Sequence, residues 1–150
     1  MRKLKLIPVL LFLFMLGSCS SSDDSSSANP TPVINAATQG TWRISSYIDS
    51  GTDETNHFTN YNFTFAASNV LTATNGTNTY TGTWSVTSDD SSDDDNPSGD
   101  LDFNIGFATP ADFAELTEDW DIVSYSSTTI SLIHISGGNG GTDTLVFTKN

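Results

Sequence analysis

Thr79-Tyr80-Thr81-Gly82-Thr83-Trp84-Ser85-Val86-Thr87 decides the fold class of this chain. Tyr80, Gly82, Trp84 and Val86 take every second position, and hydroxyl residues fill the positions between them. Successive side chains of a strand point to opposite faces, so this pattern predicts a β-strand with one packed face and one face toward water. Leu101, Phe103, Ile105 and Phe107 repeat the alternation, as do Tyr61, Phe63 and Phe65, Trp42 with Ile44, and Leu145 with Phe147. Val70 to Thr74, Asp121 to Tyr125 and Thr129 to Ile135 read as further strands, for a total of about eight.

The connections are short where their signals are sharp. Ser68-Asn69 separates the second and third strands, and Asn75-Gly76 has the chemistry of a type I′ hairpin turn. Gly137 to Gly141 joins strand to strand with no helix N-terminus after it, so it reads as a flexible hairpin and not as a phosphate cradle. One helical signal interrupts the strands: Thr109 as N-cap, Pro110 at the first helical position, Asp112 three residues after the cap, and Phe113, Leu116 and Trp120 at spacings of three and four. It predicts a helix of about two turns that plugs a barrel end or lids a ligand site. Strands in simple succession predict an all-β, antiparallel, up-and-down barrel of about eight strands with one short helix, because closure removes exposed edges. A β-sandwich is the alternative; it needs Greek-key crossovers, against which the tight consecutive turns argue.

Residues 1–18 divide like a secretory signal, with a basic start (Arg2, Lys3, Lys5), an apolar run from Leu6 to Leu16 and the small residues Gly17 and Ser18. The run contains Pro8 and falls well short of the roughly 20 residues a spanning helix needs. It ends in Leu16-Gly17-Ser18-Cys19, which resembles the lipobox of bacterial lipoproteins. The resemblance implies that the chain is cut before Cys19, that Cys19 carries covalent lipid, and that this lipid is the protein's attachment to a membrane. With that thiol consumed, none remains for a disulfide, a thiolate metal site or a nucleophile. Ser20, standing where an aspartate would favour inner-membrane retention, implies delivery to the outer membrane. Ser20-Ser21-Ser22-Asp23-Asp24 is similar to the export tags of Bacteroidota surface lipoproteins and implies display at the cell surface, while the same residues also suit a plain spacer.

Cleavage leaves 132 of the 150 residues, enough for one domain. It removes three of the five cations, so the mature chain keeps Arg43 and Lys149 against all 18 acids, a net charge of −16. A field of that sign repels phosphate backbones, which argues against nucleic acid as a partner. From Ser20 to about Ala37 the chain is nearly free of large apolar side chains and reads as a flexible tether. The expected division is therefore a signal peptide over 1–18, a lipidated tether over 19–37 and a barrel over 38–150.

Gly40-Thr41-Trp42, recurring as Gly82-Thr83-Trp84, resembles the Gly-x-Trp signature on the first strand of lipocalins. The stretch from Gly40 to Lys149 is similar to the lipocalin-like domains of small Bacteroidota lipoproteins, which close on a motif like Leu145-x-Phe147-x-Lys149. The likeness implies that Trp42 closes one barrel end and that Lys149 packs across it, and it implies a cavity for a small apolar ligand. Thr117-Glu118-Asp119-Trp120 matches the mid-chain acidic-aromatic motif of lipocalins only loosely.

Trp42, Phe63, Phe65, Trp84, Phe103 and Phe107 are candidates either to line a ligand site or to pack as core, since an eight-stranded barrel is just filled or holds one small ligand. Asp93 and Asp95, in the run Asp89 to Asn96, are a weak calcium candidate lacking the glycine and terminal glutamate of an EF-hand; a solvated loop is the other reading. His57 and His134 make no zinc set without carboxylates, and His134 continues the Ile130, Leu132 face as a core or barrel-mouth histidine. No nucleophile-elbow sequence is present, so catalysis is not expected. Two functions remain in view. One is a lipid-anchored barrel that binds a small apolar ligand; the other is a scaffold that docks a protein or glycan partner through its outer face or acidic loop.

Overall fold

The structure, a computed structural model, describes residues 28–88, 101–138 and 140–150. The lipobox with Cys19, and Asp93 and Asp95 of the acidic run, lie outside the described residues. A helix, α1 (Thr31–Ala37), precedes nine strands: β1 (Trp42–Asp49), β2 (Thr52–Asp53), β3 (Asn62–Phe65), β4 (Val70–Thr74), β5 (Thr79–Ser88), β6 (Leu101–Gly106), β7 (Glu118–Tyr125), β8 (Thr129–Ile135) and β9 (Thr142–Lys149). A 3-10 turn (Thr55–Phe58) lies between β2 and β3, and a one-turn helix, α2 (Ala111–Ala114), between β6 and β7.

Every pairing is antiparallel, and neighbours in sequence are neighbours in the sheet from β3 to β9. β9 then pairs back onto β1, from Trp42 opposite Lys149 to Ile48 opposite Thr144, so eight strands form a closed barrel and β2 is an extra strand folded back on β1. Closure by successive hairpins is the up-and-down arrangement the alternating pattern predicts. On the other side β1 meets β3 at a single pair, Trp42 opposite Phe63. That thin seam leaves the surface between β1 and β3 to the turn residues that connect them.

Alternation puts Phe63 and Phe65, Trp84 and Val86, Phe103 and Ile105, Ile130 and Leu132, and Leu145 and Phe147 on the buried inner face. In β1 the register against β9 shifts between Ile44 and Ser46, and this bulge changes the parity of the inner face, so that Tyr47 follows Trp42 and Ile44 into the core. Gly82, in the stretch that fixes the fold class, is glycine because of its neighbours. A Cβ there would run into the Gly106 carbonyl oxygen and stand 2.8 Å from Phe107 Cδ1.

Four expectations are corrected. The tether does not extend to Ala37: residues 31–37 form α1, whose Val33 and Ala37 are fully buried. Trp42 is the cause, because its indole N–H needs a buried acceptor and finds the Ala37 carbonyl at 2.8 Å. The two-turn helix from Thr109 to Trp120 is the single turn of α2, with Trp120 on β7. There the Thr117 hydroxyl accepts from Phe107 N and donates to Phe107 O, which turns the chain out of the helix so that Glu118 to Asp121 pair with β6. Asn75-Gly76 is part of a four-residue loop, not a two-residue type I′ turn: the Asn75 side chain accepts from the N–H groups of Thr77 and Asn78, and of the two residues only Gly76 has positive φ. β7 begins at Glu118, three residues before the predicted start. Ser68-Asn69 does close a tight turn, with Asn69 at φ 64°.

Candidate functional site

Three regions have chemistry to offer: the interior, the seam beside β1, and the rim where β7 starts and β8 ends. In the interior, Trp42, Phe63, Phe65 and Phe103 are fully buried, and Trp84 and Phe107 nearly so. Several of their rings meet one another and the rest of the core edge-on. Phe65 meets Trp84 at 5.2 Å, Phe103 at 5.4 Å and Phe147 at 5.3 Å; Phe63 meets Phe147 at 5.4 Å. Side chains with no accessible surface border no space large enough for a water molecule, so this part of the lumen is packed as a core is packed. α2 adds Phe113, whose ring contacts Phe58, Tyr61, Phe107 and Phe63 at 5.0–6.0 Å and covers the end where β6 gives way to β7. At the opposite end Lys149 Nζ stands 5.6 Å from the centre of the Trp42 ring, a cation–π contact at the place where α1 closes the barrel. The second Gly-x-Trp is anchored in a like manner, Trp84 Nε1 donating to the Ala66 carbonyl at 2.9 Å.

The seam follows from the sparse pairing of β1 with β3. The 3-10 turn and the Thr59–Asn60 bend occupy the gap and leave a cleft of ≈ 450 Å³ lined by Arg43, Ile44, Thr55, Phe58, Thr59, Asn60, Tyr61, Asn62 and Asn150. Its floor is apolar and its rim is amide, hydroxyl and guanidinium. Asn150 Nδ2 donates to Asn62 Oδ1 at 2.7 Å, and Arg43 Nη1 to the Lys149 carbonyl at 3.3 Å, so the rim is partly prearranged. Asn60 sits at φ 68°, a conformation asparagine tolerates better than most residues.

At the rim of the barrel, His134 follows Ile130 and Leu132 inward and packs its ring edge-on to Trp120 at 6.1 Å. Three carboxylates face it: Glu118 at 3.6 Å and Asp119 at 4.0 Å from Nε2, and Asp143 at 3.7 Å from Nδ1. The other histidine, His57, lies in the 3-10 turn with Glu54 Oε2 at 3.0 Å from Nδ1, out of line for a hydrogen bond. Glu118, Asp119 and His134 on one hand, and Glu54, His57 and Glu115 on the other, have donor spacing that suits a metal ion. Tyr47 lies beside the second group and within the field of Asp143. Burial, and then the negative charges of Asp49, Asp143, Glu115 and Glu54, push its phenol well above the ordinary range, and its hydroxyl donates to the Glu115 carbonyl at 3.2 Å.

Sequence reasoning finds the interior residues and places His134 at a barrel mouth, but it does not find the seam cleft or the partners of His134. Thr55 to Asn62 has no periodicity that marks a site. Asp143 had a signal, since counting back by two from Phe147 and Leu145 lands on it.

No protein-family model and no curated protein matches the chain. Among solved structures it is similar to the crystal structure of a DUF4847 family protein from Bacteroides vulgatus, with a TM-score of 0.50 and 18% sequence identity over 79% of this chain and 97% of that one. At that identity the likeness bears on the barrel fold alone.

Proposed function

We propose that this protein is an outer-membrane lipoprotein, attached through lipid on Cys19 and displayed at the cell surface, whose barrel is a non-enzymatic module that docks a glycan or protein partner through its outer face. The observation that carries the docking part is the contrast between an interior of mutually packed, fully buried aromatic rings and an open cleft at the β1–β3 seam. Binding sites are concave and few, and a cleft of this size falls in the range that holds small ligands. Its chemistry favours a glycan. Amides of Asn60, Asn62 and Asn150 and the hydroxyl of Thr59 match the alternating donors and acceptors of a polyol, and Arg43 adds affinity for a sugar carboxylate. A small apolar ligand in the lumen would need space that the rings of Phe63, Phe65, Phe103 and Phe147 take up. The address rests on the lipobox, the Ser/Asp tag and the resemblance they carry.

Two measurements test the reading. Neutral and uronic-acid-bearing oligosaccharides titrated onto the purified protein should bind wild type and lose affinity with Arg43→Ala or Asn60→Ala. Equal binding by the variants, or uptake of a lipophilic dye by wild type, overturns the docking part. Cys19→Ala followed by cell fractionation tests the anchor: a variant that stays in the membrane and is still cleaved after Ser18 sinks it.

A further inference from the structure

We propose that the barrel rim at His134 is a site for a divalent transition-metal ion, with Glu118, Asp119 and His134 as ligands and Asp143 behind the imidazole as the carboxylate that orients it. The inner rows of β8 and β9 pair Ile130 with Phe147, Leu132 with Leu145, and then His134 with Asp143. The alternation that fills the core thus delivers an imidazole and a carboxylate side by side at the end of the barrel. β7 begins at the same end with Glu118 and Asp119. One donor atom from each of Glu118, Asp119 and His134 lies within 4.8 Å of the others. Ligands held at about 2.0–2.2 Å in a tetrahedral zinc site stand roughly 3.4 Å apart. The 3.6 Å and 4.0 Å separations at Nε2 therefore need to close by about 0.2 Å and about 0.6 Å, the Glu118 and Asp119 oxygens stand within 4.8 Å of each other, and the Asp119 side chain, 72% exposed, has room to move in.

The far side of the ring supplies an independent observation. Nδ1 is shut off from water and makes no hydrogen bond, with Asp143 Oδ2 3.7 Å away. Asp143 is itself fixed, because the Ser50 backbone N–H and hydroxyl reach its Oδ1 at 2.8 Å and 3.3 Å. A metal-bound histidine ordinarily hands its other N–H to such a carboxylate, which sets the tautomer and turns the Nε2 lone pair toward the metal. Charge points the same way. Three carboxylates converge on one imidazole, while the mature chain's two cationic side chains are both at the opposite end of β9: Lys149 over Trp42, and Arg43 on the Lys149 carbonyl. One nitrogen with two carboxylate oxygens suits zinc and its transition-metal neighbours, whereas calcium asks for six to eight oxygens. The three protein ligands leave a coordination position for water or for a donor from a partner.

Zinc titrated into the metal-stripped purified protein against a chromophoric chelator is expected to fill a site at the rim, which variants distinguish from any binding at Glu54, His57 and Glu115. His134→Ala should abolish binding at the rim, Asp143→Asn should weaken it about 10–100-fold as loss of an orienting carboxylate does, and His57→Ala should leave it unchanged. Cobalt(II) reads the same site by its visible absorption, which should vanish in His134→Ala. Should His134→Ala fail to fold, Asp119→Asn, at an exposed position, keeps the fold and should still weaken binding. Wild-type zinc affinity in both His134→Ala and Asp119→Asn, or in Asp119→Asn where His134→Ala does not fold, overturns the proposal. So does loss of the site with His57→Ala alone.

Discussion

Phe147→Ala tests whether the interior is filled. Phe147 is fully buried, and its ring meets Phe63 at 5.4 Å and Phe65 at 5.3 Å, both edge-on. Truncating a buried phenylalanine costs about 3–5 kcal/mol, and the cost depends on how far the surroundings collapse into the space. Here β9 is laddered on both sides, to β8 and to β1, which restricts collapse and puts the expected loss at about 4–5 kcal/mol. Against a total of about 5–15 kcal/mol for a domain of this kind, the variant is only marginally folded if the total is near the lower limit and clearly folded if it is higher. With a urea slope near 2 kcal/mol per molar, its midpoint falls by about 2 M. The vacated space is walled by phenylalanine rings and should stay dry and admit a benzene-sized guest, as apolar cavities do. Urea unfolding read by tryptophan fluorescence, with and without benzene, measures both effects; benzene should raise the midpoint of the variant and leave wild type unmoved. A loss below about 1 kcal/mol, or equal stabilisation of wild type by benzene, refutes the reasoning, because the ring would then border a void that was already there.

Val33→Ala should lower stability by about 1–2 kcal/mol in the same assay, since α1 is part of the core; no change would return residues 31–37 to the tether. Gly82→Ala, a change most strands tolerate, should cost at least the roughly 1–3 kcal/mol of an overpacked core, because the added methyl meets the Gly106 backbone first; a midpoint equal to wild type would count against the packing of β5 on β6. Tyr47 gives the barrel an alkaline limit. Its phenol is held above the ordinary value of 10.0, so the folded state keeps a proton that the unfolded chain releases. The stability it contributes is intact below about pH 10 and is lost above it at about 1.4 kcal/mol per pH unit until the phenol ionises in the fold. Tyr47→Phe should remove that slope from stability measured between about pH 10 and 11.5; an unchanged slope assigns it to other groups.

The parts of the fold that were legible are those where one side chain in two is apolar. Tyr80 to Val86 and Leu101 to Phe107 announce their faces because each strand is packed on one side and wet on the other. What was not legible depends on partners distant in sequence. Val33 and Ala37 look like tether residues until the Trp42 indole needs the Ala37 carbonyl, and a helical spacing through Trp120 loses to pairing between Glu118 to Asp121 and β6. The bulge between Ile44 and Ser46 hides Tyr47 from any count by two. The seam cleft had no signal because its residues come from a 3-10 turn, a bend, two strands and the C-terminal Asn150, which only closure of the barrel assembles.

The two surface regions differ in how they are held. A slip of one residue between β8 and β9 would turn either Ile130 and Leu132 or Leu145 and Phe147 out of the core, so the packing that fixes this register also fixes His134 opposite Asp143. The rim is thereby preorganised by regular strands, the support that a metal site with a narrow tolerance in distance requires. The seam rests on one strand pair, Trp42 with Phe63, and on residues in turns, among them Asn60 in the left-handed region. Fewer ladder hydrogen bonds tie it to the sheet, so local opening there costs less than at the rim. A histidine and carboxylate fixed by strand register and a compliant amide-lined cleft call for different occupants, a small ion at the first and a larger, adaptable partner at the second. On this reading a metal-stripped protein keeps its seam chemistry, and Arg43→Ala leaves the rim intact.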